Sequence, residues 1–191
     1  AYNIIDTLSA AGYVAGRGTG FRCSALGETL PSGETYFINC RAWKCSDQGF
    51  SLIFDAHSYA IGCWSFRNGY HVDGLSGESG EGNGFKLGEA EIESSNLKRT
   101  VTNCIAAYNQ LSGFTTNDNH ADVVAHMNIY NNISYKNGGV EHAGYGFYIL
   151  DPDGTSETHE RERRIFKNNI SYANGGSDVF LAQGGYYTHE S

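Results

Sequence analysis

The chain consists of short segments in which apolar and polar residues alternate, separated by turns rich in Gly and Asn. In the segment Phe85-Lys86-Leu87, the alternation predicts that Phe85 and Leu87 point inward and that Lys86 points outward. This period of two is typical of a strand with one buried face. No window keeps an amphipathic period of 3.6 residues for three turns, so helix is a minor component at most. The pattern predicts an all-β chain of short strands.

An internal repeat organises these strands. The sequence NNISYKNGG at 131–139 recurs as NNISYANGG at 168–176, and weaker copies lie at 39–45, 62–69 and 103–109. The copies are unevenly spaced, which is typical of stacked coils that combine constant strands with variable loops. We therefore predict a single-stranded parallel β-helix, a β-solenoid, that forms one domain over residues 1–191.

Stacking places equivalent positions in columns along the helix axis. One inward aromatic column is predicted at Phe21, Phe50, Phe85, Phe114 and Phe147. A ladder of side-chain amides is predicted at one turn, formed by Asn68, Asn109, Asn137 and Asn174. Three cysteines share a repeat position and are expected to stack as small apolar groups, with a disulfide between coils as the alternative: Cys40, Cys63 and Cys104.

Composition and charge restrict the function classes. The 191 residues carry a formal net charge of -8, which disfavours nucleic acid as a partner because binding to phosphates needs cations. No apolar run is long enough to span a membrane, so no membrane partner is expected. The chain begins without Met, which predicts a processed or excised form. Repeats continue close to both ends and predict a truncated or uncapped helix, whose open ends would favour end-to-end self-association.

Three motifs carry a family resemblance over about residues 20–176. They are Gly82-Asn83-Gly84-Phe85-Lys86-Leu87-Gly88, Asp47-Gln48-Gly49-Phe50-Ser51-Leu52 and Asn68-Gly69-Tyr70, and together they resemble the pectate lyases of polysaccharide lyase family nine. The resemblance implies a right-handed parallel β-helix and a secreted enzyme of pectin degradation that cleaves pectate or a related polyuronate. It also implies that Lys86 is the catalytic base.

The residues themselves agree with that role for Lys86. Arg22 and Lys86 belong to one outward column, so a positive strip could hold an acidic polysaccharide on an otherwise acidic molecule. Cleavage by β-elimination requires removal of the proton at C5 of a uronic acid after its carboxylate has been neutralised. We expect Lys86 to remove the proton and Arg22 to be a candidate for the neutralising cation.

The calcium site implied by the resemblance is depleted. The family holds calcium with several Asp residues, of which Asp47 is present, whereas Gln48 and Ser51 replace two others. No acid lies near residues 17–19, where a further Asp is expected. Calcium prefers six to eight oxygen ligands. We expect Asp47 to be a metal ligand and the activity to depend only weakly on calcium. There are three alternatives: other acids such as Asp55 or Asp73 complete the site, Arg22 neutralises the substrate carboxylate in place of calcium, or catalysis has been lost.

Other features define alternatives. Tyr70 and His71 are candidate substrate-binding residues and an alternative acid–base pair. The Gly-rich stretch 74–84 predicts a mobile loop over the cleft. The second function class is a noncatalytic β-helix that binds carbohydrate or associates with itself.

Overall fold

Three parallel sheets wind around one core. The computed structural model describes residues 1, 18–23, 34–53, 57–70, 80–88, 98–116, 126–139, 144–149, 164–181 and 187–188. Sheet 1 contains β1 (Phe21–Arg22), β4 (Phe50–Ser51), β7 (Phe85–Lys86), β10 (Phe114–Thr115), β13 (Phe147–Ile149) and β16 (Val179–Leu181). Sheet 2 contains β2 (Glu34–Ile38), β5 (His57–Ile61), β8 (Lys98–Thr102), β11 (His126–Tyr130), β14 (Arg164–Lys167) and β17 (Tyr187–Thr188). Sheet 3 contains β3 (Arg41–Trp43), β6 (Trp64–Phe66), β9 (Ile105–Ala107), β12 (Ile133–Tyr135) and β15 (Ile170–Tyr172).

Each coil visits sheet 2, then sheet 3, then sheet 1, and every strand pairs in parallel with its equivalent in the next coil. The predicted all-β parallel β-helix is thus confirmed. Within the described residues no helix is long and apolar enough to cross a membrane.

The predicted aromatic column fills the core beneath sheet 1. Phe50, Phe85, Phe114 and Phe147 are fully buried, and successive ring centroids lie 4.8 Å apart in nearly parallel planes. Phe21 continues the column with a centroid distance of 4.9 Å to Phe50. These rings bury a large apolar area along five successive coils, so the column is a principal source of stability. In the following coil Val179 pairs with Phe147, and the column of rings ends there.

The cysteines behave as predicted from the repeat. All five are free thiols, and Cys63 and Cys104 are buried at the position that precedes each strand of sheet 3. Their sulfurs contact backbone carbonyls, with the Cys63 Sγ 3.2 Å from the Phe37 carbonyl oxygen and the Cys104 Sγ 3.4 Å from that of Ala60. The alternative of a disulfide between coils is therefore wrong.

The sharp turn between sheet 2 and sheet 3 depends on one residue per coil with a positive φ angle. These residues are Asn39, Gly62, Asn103, Asn131 and Asn168, with φ between 52° and 63°. Asn and Gly enter the left-handed region at low cost because their side chains are short and polar or absent. The recurrence of Asn and Gly here explains why the repeat is visible in the sequence.

The predicted amide ladder lies at the turn between sheet 3 and sheet 1. Each side-chain Nδ2 donates to the Oδ1 of the next Asn, at 2.8 Å from Asn68 to Asn109, 2.8 Å from Asn109 to Asn137 and 3.1 Å from Asn137 to Asn174. The Oδ1 atoms also accept from backbone amides of the preceding coil, as Asn109 does from Asn68. The ladder therefore satisfies buried polar groups that water cannot reach.

We expect Asn109→Ala to lower the free energy of unfolding by about 2–3 kcal/mol, because it leaves buried donors of Asn68 without an acceptor. Urea denaturation of the variant and the parent measures this loss. Asn128→Ala is the matched control, since Asn128 is only half-buried and donates one bond of 3.3 Å to Thr100. Equal losses for the two variants would show that the ladder contributes no more to the free energy of unfolding than an ordinary side-chain hydrogen bond.

Candidate active site

Lys86 occupies the middle of the outward column of sheet 1. Its neighbours Phe85 and Leu87 belong to the buried core, so the Lys86 side chain leaves the opposite face of the strand. Strand pairing aligns the column as predicted from the sequence: Arg22, Ser51, Lys86, Thr115, Tyr148 and Phe180. Adjacent strands lie about 4.8 Å apart, so the backbones of Arg22 and Lys86 are separated by about 10 Å.

The residues before Lys86 hold its strand tightly against the next coil. Gly82 has a φ of +68°. A Cβ at Gly84 would lie 2.5 Å from the Gly113 carbonyl oxygen, so only Gly fits there. Asn83 is buried, and its Oδ1 accepts a hydrogen bond of 3.2 Å from the backbone N–H of Ser112. These contacts explain why Gly-Asn-Gly precedes Phe85 and Lys86.

Residues 80–84, for which the sequence predicts part of a mobile loop over the cleft, instead lie against the coil. A Cβ at Gly80 would lie 2.7 Å from the Ser46 carbonyl oxygen and 2.9 Å from the Asp47 Oδ1. The three residues 82–84 are buried. That prediction is wrong for 80–84, because the glycines allow close backbone packing; residues 74–79 lie outside the described residues.

Glu81 forms an ion pair with Lys86. The Lys86 Nζ lies 3.0 Å from the Glu81 Oε2 and 3.2 Å from its Oε1. The Glu81 Oε2 also accepts hydrogen bonds from Gln48 Nε2 at 3.2 Å and from Asn83 Nδ2 at 3.3 Å. Lys86 is only 6% exposed, whereas the side chain of Glu81 is 47% exposed. The carboxylate of Glu81 thus lies between the lysine and solvent.

Asp47 is a buried carboxylate in the same network. Its Oδ2 accepts a hydrogen bond of 2.9 Å from the Thr19 hydroxyl, and its Oδ1 accepts one of 3.2 Å from the backbone N–H of Glu81. Burial raises the pKa of Asp47, and the nearby Glu81 charge adds to the rise, while the hydrogen bonds from Thr19 and the Glu81 backbone oppose it. Asp47 is therefore connected to Lys86 through Glu81, and it is not a solvated turn residue.

The donor set does not fit a preformed calcium cage. Calcium takes six to eight oxygens, with carboxylates supplying the charge. Here Gln48 and Ser51 are neutral, and a Thr19 hydroxyl bound to Asp47 lies where the family resemblance implies another acid. The carboxylates of Asp47 and Glu81 are both engaged by protein donors. No group of three or more His, Cys, Asp or Glu side chains able to hold a metal occurs within the described residues.

The remaining predicted site residues lie at different distances from this network. Arg22 is exposed on β1, two strands from Lys86 in the same column. Tyr70 is half-buried at the turn after Asn68, where burial raises the pKa of its phenol and the charge of Arg67 opposes that rise. His71, Asp55 and Asp73 lie outside the described residues.

Sequence reasoning did not single out Glu81. The residue lies in a Gly-rich insertion that follows no repeat period, so no column aligns it with Lys86. The available signal was its position five residues before Lys86, beside glycines that permit a close return of the chain. The network provides an amine and a buried acid, which can exchange a proton with a bound ligand. Arg22, two strands away in the same column, adds an exposed positive charge that can pair with an anion.

Comparison with known proteins defines the class and then the family. Residues 1–151 match the family model described as Pel9A-like, right handed beta helix region. A protein named pectate lyase L from Dickeya dadantii (strain 3937) is 35% identical over 136 residues, which are 71% of this chain and 28% of that protein. Pectate lyase L of Dickeya chrysanthemi gives the same identity and coverage. Pectate lyase L of Paenibacillus polymyxa (strain SC2) is 30% identical over 156 residues, 78% of this chain and 30% of that protein.

These matches identify a right-handed parallel β-helix related to polysaccharide lyases, which confirms the fold and the resemblance read from the motifs. The chain belongs to the Pel9A-like right-handed β-helix family. It spans less than a third of the length of the three relatives. No solved structure matches it significantly.

Proposed function

We propose that the chain is the β-helix domain, over residues 1–191, of a secreted polysaccharide lyase that cleaves pectate or a related polyuronate. The observation that carries this proposal is Lys86: it stands in a family-specific motif, in the outward column of sheet 1, with its amine 3.0 Å from Glu81. The names of the three relatives support pectate as the substrate class.

In the proposed reaction Lys86 first loses to solvent the proton that it holds in the ion pair with Glu81. Its neutral amine then takes the proton from C5 of a uronic acid residue. The electron pair of the broken C5–H bond forms the C4–C5 double bond, and the C4–O bond to the preceding sugar breaks. The leaving oxygen takes a proton from solvent, and Lys86 releases the C5 proton to solvent. The products are an unsaturated uronate end and a new reducing end, without net oxidation or reduction.

Arg22 is proposed to neutralise the carboxylate on C5. Removing the C5 proton creates charge on that carboxylate, and a guanidinium can stabilise this charge with two parallel hydrogen bonds. Lys86 and Arg22 are long side chains whose backbones lie about 10 Å apart, a separation that both can span toward one sugar. Tyr70 and His71 are proposed to contact neighbouring sugars.

Ultraviolet detection of the unsaturated product tests the proposal on polygalacturonate, alginate and a neutral glucan. We expect product from a polyuronate and none from the neutral polymer. Failure to form product from any polyuronate, with the fold intact, would contradict the lyase function and leave a carbohydrate-binding or self-associating β-helix.

We expect calcium chelation to lower the rate by less than about tenfold, because Gln48 and Ser51 leave too few carboxylates for a tight cage. The rate is measured with and without chelator for the parent and for Arg22→Gln. A large loss in Arg22→Gln at every calcium concentration would support the guanidinium as the neutralising cation. Complete loss in chelator, restored by calcium, would contradict this prediction.

A further inference from the structure

The outward surface of sheet 3 is rich in exposed aromatic and aliphatic side chains. We call this surface, together with the residue that follows each of its strands, the aromatic–basic face. The exposed large apolar side chains on it are Trp43, Trp64, Tyr108, Ile133, Ile170 and Tyr172. Tyr172 is 64% exposed and Tyr108 is 45% exposed. Contiguous exposed patches of this kind mark interaction surfaces in soluble proteins.

The same face is positively charged on an acidic protein. Arg41 lies on β3, and Lys44, Arg67 and Lys136 are exposed directly after β3, β6 and β12. The five strands of sheet 3 and the residues that follow them contain no Asp or Glu. The face therefore carries four cations and no acid, although the chain as a whole has a net charge of -8. A concentrated positive patch attracts an acidic ligand.

The turn that carries these cations contains residues in an unfavourable backbone conformation. Lys44, Arg67, Tyr108, Lys136 and Ala173 all have positive φ angles, between 49° and 57°. The other positive-φ turn of each coil uses only Asn or Gly, the residues that tolerate this conformation. Local geometry alone would favour Asn or Gly in both turns. The long cationic side chains at the second turn therefore indicate a functional role rather than a role in stabilising the fold.

Two of the four cations lie on aromatic rings. The Arg41 guanidinium is 4.1 Å from the centroid of the Trp64 ring, and the Lys136 Nζ is 5.2 Å from that of Tyr135 and 5.9 Å from that of Tyr108. Successive coils repeat every 4.8 Å or so. The face thus presents a row of flat apolar surfaces, with positive charges at intervals of one or two coils.

We propose that the aromatic–basic face is a second, noncatalytic binding surface for a polyuronate chain. The aromatic rings offer flat apolar area to the C–H faces of the sugars, and the cations pair with the carboxylates. Sheet 3 is separate from sheet 1, which carries Lys86, so the face can hold polymer while the candidate active site acts on it. The choice of a polyuronate rests on the proposed function. Single-stranded nucleic acid also binds to aromatic and basic surfaces, and it is an alternative outcome of the test below.

Tryptophan fluorescence provides a direct test, because the two tryptophans of the chain, Trp43 and Trp64, both lie on this face. Polygalacturonate is titrated into the Lys86→Ala protein, so that cleavage does not change the polymer. We expect a saturable change in emission that a neutral dextran does not produce. The double variant Arg67→Gln with Lys136→Gln should weaken binding by about tenfold.

The matched control is Lys98→Gln with Lys167→Gln on sheet 2, which removes the same charge from a different face. We expect it to change the affinity by less than about twofold. Equal weakening by the two double variants, no response to polygalacturonate, or an equal response to dextran would overturn the proposal. Tighter binding of oligodeoxythymidylate would instead assign the face to nucleic acid, and a dimer in sedimentation that the Arg67/Lys136 variant abolishes would assign it to a second copy.

The outcome of the binding titration does not depend on whether the protein is a lyase. If the parent protein forms no unsaturated product but the titration behaves as expected, the lyase function fails and the binding face stands. If product forms but the tryptophan emission does not respond, the binding face fails and the lyase function stands.

Discussion

Lys86→Ala is expected to lower the rate of unsaturated-product formation by about 10² to 10⁴, the range typical of losing a positioned general base. The reason is the placement of the amine, which leaves the outward face of β7, the face on which we propose that the substrate binds. The protein should remain folded, because the core residues Phe85 and Leu87 are unchanged. Initial rates on polygalacturonate and a far-ultraviolet circular dichroism spectrum measure the two properties.

Two further variants separate base catalysis from charge. Lys86→Arg keeps a cation beside Glu81, but a guanidinium stays protonated and cannot accept the C5 proton, so we expect the same loss as for Ala. Lys98→Ala removes an exposed lysine from sheet 2 and should leave the rate within about twofold of the parent. Substantial activity in Lys86→Arg would show that Lys86 contributes charge rather than proton transfer.

The columns of the fold could be predicted from the sequence because a parallel β-helix repeats the same environment at every coil. Phe85 and Asn109 each have equivalents in neighbouring copies, so one alignment fixes the position of both. Alternation within a strand then decides which side chains point inward, since a shift of one residue would reverse every position. The outward column that contains Arg22 and Lys86 follows from the same rule.

The surroundings of Lys86 could not be predicted in this way. Alternation places the lysine on the outer face, but the structure leaves only 6% of its surface exposed. Glu81, Gln48 and Asp47 cover it or connect to it through hydrogen bonds that join an insertion to the preceding coil. Such contacts depend on where a nonrepeating segment returns to the helix, and no periodicity encodes that.

The aromatic–basic face shows a second feature that could not be predicted from the sequence. The cations at Lys44 and Lys136 belong to the repeat and are visible in the sequence, yet their significance comes from the backbone. Positive φ angles of 54° and 49° distinguish them from ordinary surface lysines. A sequence alone does not reveal which of the two turns in each coil uses unfavourable residues.

Phe114→Ala is expected to lower the free energy of unfolding by about 3–5 kcal/mol. Phe114 is fully buried, and its ring is stacked at 4.8 Å on both Phe85 and Phe147. Truncation removes apolar area from the core and leaves a cavity between two rings that the adjacent strands hold in place. Urea denaturation of the parent and the variant, followed by circular dichroism, measures the loss.

Position in the column supplies the control for this prediction. Phe21 stacks on Phe50 in the same column but is only half-buried, so Phe21→Ala should cost clearly less than Phe114→Ala. Phe114→Leu keeps most of the apolar volume and should cost about 1–2 kcal/mol, chiefly from lost ring stacking. Because each coil contacts only its neighbours, a cavity at Phe114 also weakens the coupling between the coil of Lys86 and the coil of Phe147. A loss below about 1.5 kcal/mol for Phe114→Ala, or equal losses at Phe114 and Phe21, would contradict a continuous aromatic core as the main source of stability.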